Sequence, residues 1–366
     1  MIKHCEILII GGGVSGMLTA RELRLAGCDV TILDKSPAGR ESSWAGGGIL
    51  LPIYPWRQSP AISDLVMGSL HKYPDLNREL LDATGIDPQW RDCGLLICRN
   101  PDFAAAVSWC LQRGVTYQEA PTELLAGLQS AFQNPLWLPE IAQIRNPRLL
   151  KSLQAYLLKL GVVFLENTQL LEIVSQNQRV QRVVTSAGNF IVQQLVICTG
   201  AWTSDVLQAL VPECALNLAI QPVKGQMLVF DAKPDTLPNM VLNDDQYLIP
   251  RQDGKILAGS TVEAAGFEKS TTSKAKQQLW EFATALLPAL KQYPISHHWA
   301  GLRPGAPQGI PYIGRHPTIE NLSINAGHFR NGLVMGPASA QLLADLLLDR
   351  PTSINPEPYA LAIEKP

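Results

Sequence analysis

The apolar positions of this chain follow a helical period in some stretches and a strand-like one in others. Residues 5–10 form a short apolar run, and residues 29–34 form a second that ends in an acid. Between them Gly16, Ala20, Leu23 and Ala26 recur at helical spacing, which predicts a helix over 14–26 with a narrow face of small residues and Gly27 as its cap. Further helices are predicted over 62–84, 102–112, 146–159 and 333–348. The third of these carries Leu149, Leu150, Leu153, Tyr156 and Leu157 on one face and ends at Gly161. Residues 94–98 and 162–165 read as strands, and 170–174, 180–185 and 190–192 as a small antiparallel meander. An apolar strand follows at 194–199. Strand-like runs at 222–232, 241–250 and 256–262, separated by turns such as Asp253-Gly254, predict an antiparallel sheet and hence a second domain. A helix over 274–290, closing at Pro288, and short strands at 298–304, 310–314 and 322–325 complete the pattern. The proline-rich tail from Arg350 is expected to wrap the surface.

Length and composition narrow this to an α/β fold of two closely packed domains. The chain has 366 residues, 46% hydrophobic and 17% charged, ample for a sizeable core. A net charge of −2 argues against nucleic acid or an anionic membrane as the main partner, and no apolar run approaches the roughly 20 residues a span needs. The cysteines (Cys5, Cys28, Cys93, Cys98, Cys110, Cys198, Cys214) are odd in number, and several sit in apolar runs, as expected of reduced thiols in a cytoplasmic protein. Cys93 and Cys98 lack a neighbouring histidine or second pair, and His297-His298 would point to opposite faces of a strand, so no metal site is expected.

The chemistry begins in the first turn. Gly11, Gly13 and Gly16 fit G-x-G-x-x-G between a strand and a helix. The first permits the sharp turn, the second lets backbone approach a pyrophosphate, and the third lets helix and sheet pack closely. The helix N-terminus at Val14 and Ser15 presents free N–H groups and a positive dipole end. Asp34 can accept from a ribose 2′-hydroxyl and would repel a 2′-phosphate, which disfavours NADP. Lys3 and the apolar stretch to Ala20 could mimic a secretory signal, but three consecutive glycines and then Arg21, Glu22 and Arg24 break it. A second glycine cluster, Gly46-Gly47-Gly48, follows Lys35, Arg40, Ser42 and Ser43, which offer donors to phosphates. The strand ending at Thr199-Gly200-Ala201-Trp202 is either a third approach to the cofactor or an ordinary turn. The turn 327–332 again aims a helix N-terminus at something.

Several stretches together resemble the D-amino-acid oxidase superfamily of FAD-dependent oxidoreductases, in particular its glycine-oxidising branch in thiamine biosynthesis. They are residues 11–16, 39–48, Gln221-Pro222-Val223-Lys224-Gly225-Gln226-Met227, Tyr247-Leu248-Ile249-Pro250-Arg251, Gly301-Leu302-Arg303-Pro304-Gly305, Gly309-Ile310-Pro311-Tyr312-Ile313-Gly314 and Gly327-His328-Phe329-Arg330-Asn331-Gly332. The resemblance implies FAD, and it implies a Rossmann-like, glutathione-reductase-type FAD domain that is discontinuous (1–85, 141–218 and 298–366). An antiparallel-sheet substrate domain would take 86–140 and 219–297. It adds Leu170, Thr199, Gly200, Trp202, His328, Arg330, Asn331, Gly332 and Leu333 to the cofactor contacts. The absence of cysteine after Cys214 makes the FAD noncovalent.

For the substrate, the resemblance implies Arg303 and Tyr247 on a carboxylate, Arg330 nearby, and Ile49 and Val262 as walls. A guanidinium presents two parallel donors to a carboxylate, although a structural salt bridge is the ordinary alternative for an arginine. The implied reaction is hydride transfer from Cα of glycine, sarcosine or a small D-amino acid, with dioxygen as acceptor and peroxide as product. No protein acid or base stands out. The implied assembly is a homotetramer, with possible coupling to a thiazole synthase. The rival readings are another D-amino-acid or sarcosine oxidase, a quinone-linked dehydrogenase, and a non-catalytic flavin scaffold.

Overall fold

The computed structural model describes residues 2–210, 216 and 218–362. Cys214 lies outside the described residues. The first element is the strand Ile2–Ile10, which enters the glycine turn and the helix Val14–Leu25, and the chain returns as the strand Val30–Leu33. Gly27 has the left-handed φ of +95° that the helix end requires.

One sheet runs in the order Tyr312–Arg315, Leu322–Ala326, Gly188–Ile197, Ile2–Ile10, Val30–Leu33, Val163–Leu165. All neighbours are parallel except the first pair. The meander Leu170–Gln176 and Arg179–Thr185 attaches antiparallel to the start of Gly188–Ile197. The two strands expected at 190–192 and 194–199 are therefore one. The whole strand pairs in parallel with Ile2–Ile10 on one edge, while on the other its start closes the meander and its end pairs with Leu322–Ala326, so an alternating stretch runs into a uniformly apolar one within a single strand.

The second sheet is ordered Ile295–Gly305, Gln221–Phe230, Ile256–Gly259, Gln246–Pro250, Met240–Asn243, Leu95–Ile97, Leu136–Leu138, Gln118–Glu119. It is antiparallel except where Met240–Asn243 meets Leu95–Ile97. The run 241–250 is a hairpin, turned at Asp244 with φ +52°. The strand Ile295–Gly305 pairs with Gln221–Phe230 along its whole length, so the expected boundary at 297/298 falls inside a strand of this sheet.

The expected helix over 62–84 is two, Pro60–Leu70 and Tyr73–Thr84. Pro74 lacks an N–H and starts the second helix instead of continuing the first. The helix over 274–290 stops at Leu286 and gives way to the short 3-10 turn Pro288–Gln292. The helix Gly332–Leu347 packs on Val14–Leu25, where a Cβ on Gly336 would meet Leu18 at 2.8 Å. The tail crosses the surface, with Tyr359 buried and donating to the Ala61 carbonyl at 2.7 Å. Cys28, Cys98, Cys110 and Cys198 are buried, and the six described cysteines are unpaired. Among the described residues no helix is long and apolar enough to cross a membrane, and no histidine, cysteine or acid cluster could hold a metal.

Candidate cofactor and substrate site

The carboxyl ends of the parallel strands open into an elongated cavity that continues under the second sheet. Gly11, Gly13, Val14 and Ser15 form its floor at the helix N-terminus. Gly11 has φ +108°, and a Cβ there would overlap the Cys198 carbonyl. Gly16 does not face the cavity. A Cβ on it would overlap the Gly11 carbonyl, so its absence lets the helix approach the turn. Asp34 lines the cavity and fixes the turn, accepting from Gly12 N at 2.8 Å with one oxygen and from Ser36 N at 3.0 Å with the other.

Lys35, Ser42, Ser43, Gly46, Gly47, Gly48, Leu170, Thr199, Gly200 and Trp202 line the next part of the cavity. The Ser43 hydroxyl accepts from Val14 N at 2.9 Å and so joins the second glycine cluster to the helix N-terminus. Gly48 has φ +86°, and a Cβ there would overlap the Ile144 carbonyl. Arg40 is exposed and outside the lining: the chain leaves the cavity after Lys35 and returns to it at Glu41. Asn146, Thr168 and Gln169 line the cavity without having been singled out in the sequence. Asn146 donates to the Ser43 carbonyl at 2.7 Å, a contact across 103 residues with no local pattern to betray it.

His328, Arg330, Asn331, Gly332 and Leu333 close the far end. The turn is pinned to the strand carrying Arg303 by Phe329 N donating to the Pro304 carbonyl at 2.9 Å. Buried Tyr73 donates to the Leu333 carbonyl and steadies the helix start from behind. Burial lowers the His328 imidazole to about 4, so it is neutral at physiological pH.

Arg303, Tyr247, Arg330 and Ile49 also meet in this cavity. The Arg303 guanidinium donates to the carbonyls of Lys224 at 3.3 Å and Thr261 at 3.1 Å, and to the Ser260 hydroxyl at 2.7 Å. Burial, above all, pulls it below the ordinary arginine value, and Arg330 nearby acts in the same sense. No carboxylate lies within ion-pair distance of it among the described residues. Buried Tyr247 packs between Gly47 and Gly259, with its hydroxyl 4.0 Å from Met227 Sδ. Val262 is 55% exposed and outside the lining: the strand ends at Gly259, and the chain leads away from the cavity.

These residues suit FAD. Close backbone approaches occur at several glycine turns along one elongated cavity, as a long folded dinucleotide requires. Four lining side chains hold buried polar atoms without a protein partner: Asn146 Oδ1, Asn325 Oδ1, His328 Nε2 and Arg330 Nη2. Such atoms are costly unless a polar ligand meets them.

Comparison with known proteins agrees with this geometry. The family model described as FAD dependent oxidoreductase matches residues 6–346. The chain is 44% identical to the glycine oxidase of Pseudomonas aeruginosa over 98% of each chain. It is 31% identical to the bifunctional protein ThiO/ThiG of Trichormus variabilis, across 94% of this chain and 53% of that protein. The crystal structure of glycine oxidase from Geobacillus kaustophilus superposes with a TM-score of 0.92 at 27% identity, covering 99% of this chain and all of the other. The glycine cradle, the strand order and these matches converge: the chain belongs to the FAD-dependent oxidoreductase (DAO) family.

Proposed function

We propose that the chain oxidises glycine to its imine, using FAD as the electron acceptor and dioxygen as the final oxidant. The observation that carries this is the Arg303 guanidinium. It faces the cofactor cavity and is held only by neutral acceptors, which leaves its charge for an incoming carboxylate. Tyr247 adds a hydroxyl beside it, and Ile49, Leu51, Ile53 and Met227 give the site an apolar wall that excludes water. Fixing the carboxylate at Arg303 and Tyr247 sets the position of the Cα–H bond relative to the rest of the cavity. Bound FAD supplies the redox chemistry: it takes up the hydride equivalent and passes the electrons to dioxygen, giving peroxide. No side chain is assigned to deprotonate the amine, which reacts as the neutral species. The imine is released to hydrolysis, giving glyoxylate and ammonia, or to thiazole synthesis, a destination supported by the fused ThiO/ThiG relatives.

The two sheets divide the labour in this reading. The parallel sheet and its glycine turns hold FAD without a covalent bond, and the antiparallel sheet, including the strand through Gly305, holds the substrate. Unpaired thiols support a cytoplasmic setting.

The test is anaerobic mixing of the holoenzyme with glycine, sarcosine and D-alanine while flavin absorbance is followed, then admission of air and assay for peroxide. Bleaching by glycine followed by peroxide is the expected result. Bleaching by D-alanine or sarcosine alone would move the chain to another oxidase of the family. A flavin that no amino acid bleaches would leave a binding scaffold.

A further inference from the structure

Residues 263–272 form a loop whose two ends are tied to one buried side chain. Gln226 Oε1 accepts from Thr272 N at 2.9 Å, and its Nε2 donates to Glu263 Oε1 at 2.8 Å. Glu263 is held again by the Lys224 ammonium at 3.6 Å and by paired backbone bonds with Lys224. A short loop with its ends pinned together and its middle projecting is an Ω-type arrangement.

The middle of this loop reaches back to the other side of the cofactor cavity. The Phe267 ring stacks on Trp202, with centroids 5.4 Å apart and planes 25° apart. Lys269 Nζ lies 2.9 Å from both carboxylate oxygens of Glu41. Trp202 also carries Lys35, whose ammonium sits 3.7 Å from the ring centre. Trp202, Lys35 and Glu41 line the cavity, whereas Phe267 and Lys269 do not. The base of the loop is fixed under Arg303, because Thr261 and Lys224 are also acceptors for that guanidinium. Among the described residues the tip is held by one aromatic stack, one ion pair that is partly open to water, and the Lys269 ammonium 5.9 Å from the centre of the Trp202 ring.

We propose that the 263–272 loop is a clasp on the cofactor: its tip must leave Trp202 and Glu41 for FAD to enter or escape, and Phe267 and Lys269 set the rate of that exchange. A firm base with a weakly held tip suits a part that opens while the substrate seat stays in place. An aromatic stack and a partly exposed ion pair are each modest, so loss of either accelerates release several-fold. The clasp acts on FAD alone and does not depend on which substrate is oxidised.

The test is release of FAD from the holoenzyme, followed by the rise in flavin fluorescence after dilution. Phe267→Ala and Lys269→Glu should each release FAD about fivefold faster than the parent. A second measurement uses the unaltered chain: trypsin should cut after Lys269 about fivefold more slowly with FAD bound than in the apoprotein, because FAD packed against Trp202 and Glu41 from the cavity side would hold the partners of the tip in place and keep it closed. Release rates equal to the parent in both variants, or cleavage after Lys269 at the same rate with and without FAD, would overturn the proposal. If either variant fails to fold, the cleavage measurement decides.

Discussion

The Arg303 guanidinium rests on the bare backbone of Gly225. A Cβ placed on Gly225 would overlap Nη1, Nη2 and Cζ of Arg303. The pairing register makes this possible, setting Gly225 opposite Gly301 and Val223 opposite Arg303, so the arginine folds back diagonally over the glycine next along the same face. Gly301, its direct partner on the same face, makes room for the neighbouring segment, since a Cβ there would overlap Ala45, just before the second glycine cluster. Two facing glycines thus open one slot for the guanidinium and another for the cofactor loop.

Gly225→Ala should therefore drive the guanidinium off Ser260 and Thr261. The expected outcome is an apparent affinity for glycine reduced about tenfold or more, while the Arg303 side chain remains in the chain, because one lost charge-assisted hydrogen bond is worth roughly 1.5–3 kcal/mol. Titration of flavin bleaching with glycine measures it. An unchanged midpoint would show that the carboxylate binds elsewhere.

What the sequence showed, and what it did not, follows from distance along the chain. The turn 11–16, the cap at Gly27 and Asp34 are local features, written within one strand–helix–strand unit, and all were readable. Thr199 to Trp202 could not be told from an ordinary turn, because its meaning depends on a strand that pairs in parallel with Ile2–Ile10 from nearly two hundred residues away. Gly225 stood within a recognisable stretch, but only the register explains why it must be glycine. Val262 lay outside the cavity because an alternating pattern does not reveal where a strand stops. Asn146 was hidden for the same reason as most polar contacts across elements: a buried amide on a helix has no periodicity of its own.

Arg251 ties the end of the strand Gln246–Pro250 to the cofactor loop at Gly47 and to residues 143 and 144. It is 6% exposed, donates through Nη2 to the Gly47 carbonyl at 2.7 Å and through Nη1 to Gln143 and the Ile144 carbonyl, and has no acid within ion-pair distance among the described residues. The nearby Asp253 is engaged by Arg145 at 2.9 Å. Burial lowers the Arg251 guanidinium to about 9, with Arg145 contributing in the same direction. Arg251→Lys keeps a cation but cannot span those acceptors. It should destabilise the fold by about 2 kcal/mol, the worth of one or two charge-assisted bonds, and weaken FAD binding through the Gly47 loop. A urea titration and a flavin fluorescence titration check the two effects, and no change in either would remove Arg251 from the cofactor loop.

Gly11→Ala should be more damaging than Gly13→Ala. Gly11 combines a φ of +108° with a Cβ position inside the Cys198 carbonyl, whereas a Cβ on Gly13 would meet Ser43 Oγ at 3.1 Å, a hydroxyl that can shift. A strained φ and a backbone clash together cost about 3 kcal/mol or more. The expected result is loss of bound FAD and a thermal midpoint many degrees lower for Gly11→Ala, with a smaller fall for Gly13→Ala. The reverse ranking would contradict the geometry of the turn.

The buried His328 predicts an acid sensitivity with a definite sign. Its folded-state value is about 4 against an ordinary 6.5, with burial as the cause, and the ring is 2% exposed. Between those values the unfolded chain binds a proton that the folded chain refuses, so stability falls as pH drops from about 6.5 towards 4 and is restored above 6.5. One such proton is worth up to about 1.4 kcal/mol per pH unit. His316 and His298 are lowered in the same direction, chiefly by burial, so the parent protein should show a steep loss to which all three contribute. His328→Gln keeps a polar side chain and removes this proton. The difference in urea midpoint between pH 7.5 and pH 5.0 should therefore shrink in the variant, measured on apoprotein so that changes in FAD binding do not enter. An equal difference in parent and variant would mean that His328 takes up its proton without unfolding, and that the far end of the cavity is open to water.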